Sequence, residues 1–249
     1  MEKKKKDFSR MNNPVLDQVK DLSVEEYSLV EKATARGSYV KVVLLLLALF
    51  LATGISWFMQ ISPRSLLLLV FAAFAVGVFI CRNPEYSPAV SPLYVVMEGT
   101  VLGQIVKIEE SVYPGIALQT LIITFVIAVI VAAAYICKWI DVNDVFKSRV
   151  FLVTAGIAVV YLIDLILILG FNLQMPLLHE ANWKGILVSL FLVSVAAMNL
   201  AWDFETICTL SAKGLPKYYE WYFAYGLVIT LIWLYLEAMR LIRNITKVL

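Results

Sequence analysis

One histidine, His179, and three cysteines in 249 residues leave little material for metal or redox chemistry. A Ser/His nucleophile or a histidine-ligated metal within a membrane cannot be assembled from a single imidazole that sits in a connection beside Glu180. Cys81, Cys137 and Cys208 share no local spacing pattern, so they read as small buried residues and not as ligands. No glycine-rich phosphate loop is present. A paired-aspartate membrane protease would want G-x-G-D, whereas Asp164 follows Leu162 and Ile163. Charge is scarce too: 16% of residues are charged against 61% hydrophobic, a composition that would precipitate as a soluble domain. The expectation is a non-enzyme with no resident cofactor and no nucleic-acid partner.

What the chain does have is seven long apolar runs, at residues 42–60, 65–81, 88–106, 115–137, 150–171, 185–202 and 219–242. A hydrocarbon core about 30 Å thick takes roughly 20 apolar residues in helix, because each backbone N–H and C=O must be satisfied within its own segment. The fold class is therefore all-α integral membrane, a seven-transmembrane-helix bundle in contact with the lipid bilayer. The third run is the least apolar, since it holds Pro92, Glu98 and Gln104. Residues 1–41 form a polar leader and residues 42–249 the membrane domain.

Basic residues collect on cytoplasmic flanks. Lys3 to Lys6, Arg10, Lys20, Lys32, Arg36 and Lys41 all precede the first run, which predicts a cytoplasmic N-terminus. Seven crossings then leave the C-terminus outside, with Arg240, Arg243 and Lys247 against the trend. On this topology all three cysteines lie at the cytoplasmic side, where no disulfide is expected. The polar leader also argues against a cleaved signal peptide. Within it, Ser23 and Glu26 form a capping box, Leu22 and Tyr27 a hydrophobic staple, and Gly37 a stop, predicting a helix over about 24–36. Residues before Pro14 read as disordered, with the lysine run attracted to anionic headgroups.

An acid inside a span is costly and is a functional candidate by default. Glu98 and Asp164 lie well within the third and fifth runs. Asp203 closes the sixth, Glu220 opens the seventh, and Glu237 lies towards its far end, all three near enough to a boundary to reach water. Gly99 and Gly103 form a G-x-x-x-G pair that lets another helix approach closely, and such a contact would desolvate Glu98. The seventh run, with Tyr222, Tyr225, Gly226, Thr230 and Trp233, is apolar all round, which suits a helix surrounded by other helices.

Two stretches carry a family resemblance. "SPAVSPLYVVMEGTVLGQI", residues 87–105, resembles the third span of the Bax inhibitor family, the transmembrane Bax inhibitor motif proteins, with its E-G-x-x-L-G. "AWDFETICTLSAKGLPKYYEWYFAYGLVITLIWLYLEAMRLI", from Ala201, resembles that family's sixth-span end, loop and seventh span. The leader's "NNPVL" and "SVEEY" are similar to the bacterial, YccA-like branch. The resemblance implies a central last helix wrapped by two groups of three. It also implies a pH-sensitive cation leak channel in a bacterial inner membrane, chiefly for calcium. Some bacterial relatives instead bind other membrane proteins such as quality-control proteases. The family mechanism uses two acids that share a proton, the first of which matches Asp203 in "WDFETI", with Gly214 at the family spacing beyond. A possible Ca2+ would bind at Asp203 and its partner. "LYLE" assigns that partner as Glu237, depth favours Glu220, and an ungapped match reaches only the region of Val228.

Overall fold

The computed structural model describes residues 31–179 and 182–248. The elements are α1 (Ala35–Phe58), α2 (Pro63–Arg82), α3 (Ser87–Val112), α4 (Ile116–Ile136), α5 (Asp144–Phe171), α6 (Trp183–Ala212) and α7 (Tyr219–Val248). A 3-10 turn at Pro84–Tyr86 and a one-turn helix at Pro176–His179 join them. All seven long helices are apolar and long enough to cross a membrane.

Most of the helices outrun the apolar runs that mark them, α4 (Ile116–Ile136) being the exception, because hydropathy registers only the part in hydrocarbon while caps set the true ends. Thr34, Ser62, Asn143 and Asn182 each accept a backbone N–H from the first turn of α1, α2, α5 and α6, in that order. Glu110 caps α4 from outside the helix, accepting Gly115 N at 2.6 Å and Ala117 N at 2.9 Å. α6 runs ten residues beyond the predicted end at Trp202, and this changes the depth of Asp203.

The leader departs from expectation where it is described. Residues 31–34 are extended: Ala33 N donates to Leu215 O at 2.7 Å and Lys217 N to Glu31 O at 2.8 Å, so this strand pairs with the α6–α7 connection. No helix runs through to Arg36 from before Thr34, whose φ of −124° and ψ of 147° are extended. Gly37 is inside α1 and stops nothing. The capping box at Ser23 and the residues before Pro14 lie outside the described residues. Glu31 also pairs with Lys217, and the hydrogen bond raises the Lys217 pKa above its ordinary value.

α7 is the hub. It packs on α1, α3, α4 and α6, and its buried residues, from Tyr219 to Asn244, face several directions. α1 and α7 both begin at the end where residues 31–34 meet the α6–α7 connection. α7 therefore ends on the face opposite to the one where α1 begins. α5 lies outermost, with Val150, Ile157 and Asp164 as its buried residues, and packs on α6.

In lipid no hydrophobic force draws one helix to another, so close packing and hydrogen bonds hold the bundle. The α1–α3 contact illustrates both. A Cβ added at Gly99 would meet Leu49 O at 2.7 Å, and one at Gly103 would meet Thr53 O at 2.6 Å. The close approach lets Thr53 Oγ1 donate to Gly99 O at 3.1 Å and Ser56 Oγ to Thr100 O at 2.7 Å. Gln104 Nε2 donates to Ser56 Oγ at 3.0 Å. Of the polar residues that make α3 a weak hydropathy signal, Gln104 is thus the one that binds it to α1.

Candidate functional site

The five acids fall into distinct environments. Glu220, on the first turn of α7, is buried and fully engaged. Its Oε1 accepts Thr34 N and Thr34 Oγ1, both at 2.9 Å, and its Oε2 pairs with Lys41 Nζ at 2.6 Å. α1 approaches this carboxylate so closely that a Cβ at Gly37 would lie 2.0 Å from Glu220 Oε1 and force the side chain to move. The acid joins the starts of α1 and α7, and its partners are 179 and 186 residues away.

Glu237 is equally satisfied. Its side chain accepts from Tyr161 Oη and from Trp233 Nε1 at 3.1 Å, and pairs with Arg240 at 3.1 Å. Arg240 also donates to Tyr161 Oη at 2.8 Å, so the cluster ties the outer helix α5 to α7. Glu237 is only 2% exposed, so it does not reach the interface as expected. It stands 11 residues from the end of α7, about 16 Å of helix. Nearby, Arg243 pairs with Glu109 at 2.6 Å. The two arginines that run against the charge rule are therefore neutralised by acids of α7 and α3.

Asp164 does have a partner. The chain turns back after α5 through Asn172 (φ 52°), and Met175 N donates to Asp164 Oδ1 at 3.0 Å. The acid anchors its own connection.

Asp203 differs from all of these. Because α6 continues to Ala212, Asp203 is nine residues, roughly 14 Å, from the helix end and not at its boundary. Its Oδ2 is buried without a hydrogen-bond partner. The facing polar group is Thr230 of α7, whose hydroxyl already donates to Gly226 O at 3.3 Å. A Cβ at Gly226 would meet nothing within 4 Å, so space is open on α7 one turn from Thr230. Glu205, two residues on, points to a different side of α6, towards α4. Glu205 accepts Tyr135 Oη at 2.9 Å and Thr209 Oγ1 at 2.6 Å, and borders a cleft of about 530 Å³ that also includes Lys138 and Asp141.

Register along α7 decides the question of a partner for Asp203. With Thr230 opposite it, Glu220 is ten residues away, about 15 Å, and Glu237 seven residues, about 10 Å. Each of those acids has its own cation. The region near Val228, reached by an ungapped match, is the one that faces Asp203, and it carries a hydroxyl in place of a second acid. Gly214, with φ of 74°, turns the chain after α6, where a Cβ would be strained. Among the described residues no three His, Cys, Asp or Glu side chains converge as a metal cluster.

Glu98 is half-buried and accepts Tyr94 Oη at 2.9 Å. It belongs to the α2–α3–α7 side of the bundle, whereas its neighbours Gly99 and Gly103 face α1. Sequence reasoning missed Thr230, Tyr161, Lys41 and Tyr94. The i, i+4 spacing of Tyr94 to Glu98 and of Trp233 to Glu237 was a legible signal; Lys41 to Glu220 left none.

A family model described as Bax inhibitor 1 like matches residues 8–247. No curated protein and no solved structure matches the chain. The chain belongs to the Bax inhibitor 1 like family, as a membrane protein with seven spanning helices.

Proposed function

We propose that this member of the Bax inhibitor 1 like family is a cation leak channel of a bacterial inner membrane, passing Ca2+ under the control of protonation at Asp203. The observation that carries the reading is the buried Asp203 oxygen that no hydrogen bond satisfies, at mid-bundle beside the central helix. Buried polar atoms are nearly always paired, and each exception asks for a reason. A carboxylate in a span costs about 2.5–3.5 kcal/mol on insertion scales, and here Asp203 has the Thr230 hydroxyl beside it but one oxygen left without a partner.

Ionised, Asp203 offers an oxygen to a hard cation, whose preferred ligands are oxygens. Thr230 Oγ1, the Gly226 carbonyl and water in the open space beside Gly226 can supply others. Protonated, the same group is neutral and releases the ion. Proton and cation compete for one site, so by linkage each weakens the other by the same factor. A single acid suffices for this, and no proton shared with Glu220 or Glu237 is needed. The cytoplasmic assignment of the α1 and α7 starts, and the absence of enzymatic activity, belong to the same reading.

The test is calcium flux into liposomes holding a calcium dye, with wild-type protein and Asp203→Asn. Expected are flux with a pH midpoint that moves to lower pH as Ca2+ is raised, and loss of both pH and Ca2+ dependence in the variant. Folded protein with no flux above empty vesicles would leave the non-conducting role, binding of other membrane proteins, in its place.

A further inference from the structure

A second buried polar file, separate from Asp203, runs along α3. Ser87, Ser91, Tyr94 and Glu98 are spaced i, i+4, i+7 and i+11, which puts all four on one helical face. Ser87 and Ser91 are 0% exposed and Tyr94 7%. Ser87 Oγ donates to Tyr218 O at 2.9 Å, at the start of α7. Ser91 Oγ is buried without a partner. Tyr94 donates to Glu98 at 2.9 Å, and its ring meets that of Tyr225 edge-on at 4.9 Å. α2 makes room for both rings through Gly77, where a Cβ would lie 2.9 Å from Tyr225 Oη and 3.4 Å from Tyr94 Cε2. One turn further along α2, the exposed thiol of Cys81 faces Tyr225. The depths are ordered: Cys81 is at the helix end, Tyr225 and Tyr94 are about 10 Å in, and Glu98 is about 16 Å in.

We propose that this file is a proton pathway from the end of the bundle where α3 begins to Glu98, which is its terminal proton acceptor at mid-membrane. The chemistry of the lining decides for protons over metal ions. It offers hydroxyls and one carboxylate, side chains that both give and take a proton, and no cage of oxygens for a cation. In each hop the Tyr94 O–H bond breaks as its proton passes to Glu98 Oε1. The Tyr94 oxygen then takes a replacement proton relayed from bulk solvent at the end of the bundle through water, for which the unpartnered Ser91 hydroxyl and Tyr225 offer partners, so no hydroxide is left behind. The titratable groups facing Glu98 are Tyr94 on α3 and Tyr225 on α7, with Cys81 of α2 beside Tyr225 at the helix end; α1 has no titratable side chain beyond Lys41, and α4 only Tyr135 near its far end. The inference does not depend on Asp203, because its readout is proton exchange and not calcium flux.

Infrared spectroscopy of the reconstituted full chain tests it. The protonated-carboxyl C=O band that disappears in Glu98→Gln identifies the acceptor, and transfer into D2O times its exchange. Tyr94→Phe and Tyr225→Phe are each expected to slow that exchange about tenfold, equivalent to about 1.4 kcal/mol of barrier, while Tyr235→Phe does not change it. Gly77→Ala, which crowds Tyr225 without removing a hydroxyl, and the small change Ser91→Ala should slow it in the same direction. No pH-dependent band lost in Glu98→Gln overturns the proposal. So does exchange at the wild-type rate in Tyr94→Phe, Tyr225→Phe and Ser91→Ala.

Discussion

Replacing Gly37 by alanine reads out how tightly α1 and α7 are joined. In an exposed helix the change gains up to about 1 kcal/mol, because alanine loses less backbone freedom than glycine. Here the new Cβ would stand 2.0 Å from Glu220 Oε1 and 2.3 Å from Cδ, well inside contact distance. The carboxylate has to move. It cannot swing away freely, because it is 2% exposed and holds Thr34 N, Thr34 Oγ1 and Lys41 Nζ. Breaking a buried ion pair costs about 3–5 kcal/mol. The Lys41 side chain keeps 18% exposure and regains some hydration, so the low end applies. Less the gain from alanine, the net loss is about 2 kcal/mol.

Gly54, in the same helix, is the control. A Cβ there meets nothing within 4 Å, so Gly54→Ala is expected to stabilise by up to about 1 kcal/mol. The assay is unfolding of the purified protein in detergent, followed by circular dichroism. Glu220→Gln in the Gly37→Ala background should add little, since both act on one interaction. A Gly37→Ala protein as stable as the wild type, or a strictly additive double variant, would refute the reasoning.

Gly103→Leu should separate α1 from α3, which meet at 2.6 Å from a Cβ to Thr53 O, and lower the yield of folded protein far more than Gly156→Leu, where a Cβ meets open space. Glu237→Gln removes the charge that balances Arg240 and should destabilise by about 3–5 kcal/mol, measured in the same unfolding assay. Combined with Asp203→Asn, it should leave the effects on stability and flux additive, because the two sites are about 10 Å apart and share no partner. Gly226→Leu is expected to fill the space beside Thr230, cutting calcium flux while the unfolding midpoint holds or rises. A cysteine at Asn182 should react with an impermeant thiol reagent from the face opposite to one at Gly214.

The seven helices were legible because a spanning helix must be apolar along its length, and even α3, with Pro92, Glu98 and Gln104, kept enough of that signal. The ends were not legible in hydropathy. The last ten residues of α6 hold Asp203, Glu205 and Thr209, whose polarity suggests a loop until Tyr135 and Thr230 are found opposite them. That misjudged end made Asp203 look like a boundary acid and drew Glu220 into contention as its partner by depth, while Glu237 entered on the "LYLE" resemblance. Pairing between Glu220 and Lys41 joins residues 179 apart, and no periodicity reports such a contact. Arg240, three residues from Glu237, was visible in the sequence, but its charge was read against topology and not against its neighbour.

The central helix can be understood as a charge arrangement. Near its start Glu220 is balanced by Lys41 of α1, and towards its other end Glu237 is balanced by Arg240, so both ends are fixed to the surrounding helices by ion pairs. Between them, for 16 residues from Trp221 to Leu236, α7 carries no charge, and it is there that α6 presents Asp203. Selection for stability alone would have given Asp203 a cation or removed it, as replacing a buried charge with an apolar group is commonly neutral or favourable. The same holds for the unpartnered Ser91 hydroxyl beside Tyr94. Asp203 lies at mid-bundle against the helix whose ends are pinned, which is where a group left free to exchange a proton or an ion does the least damage to the fold.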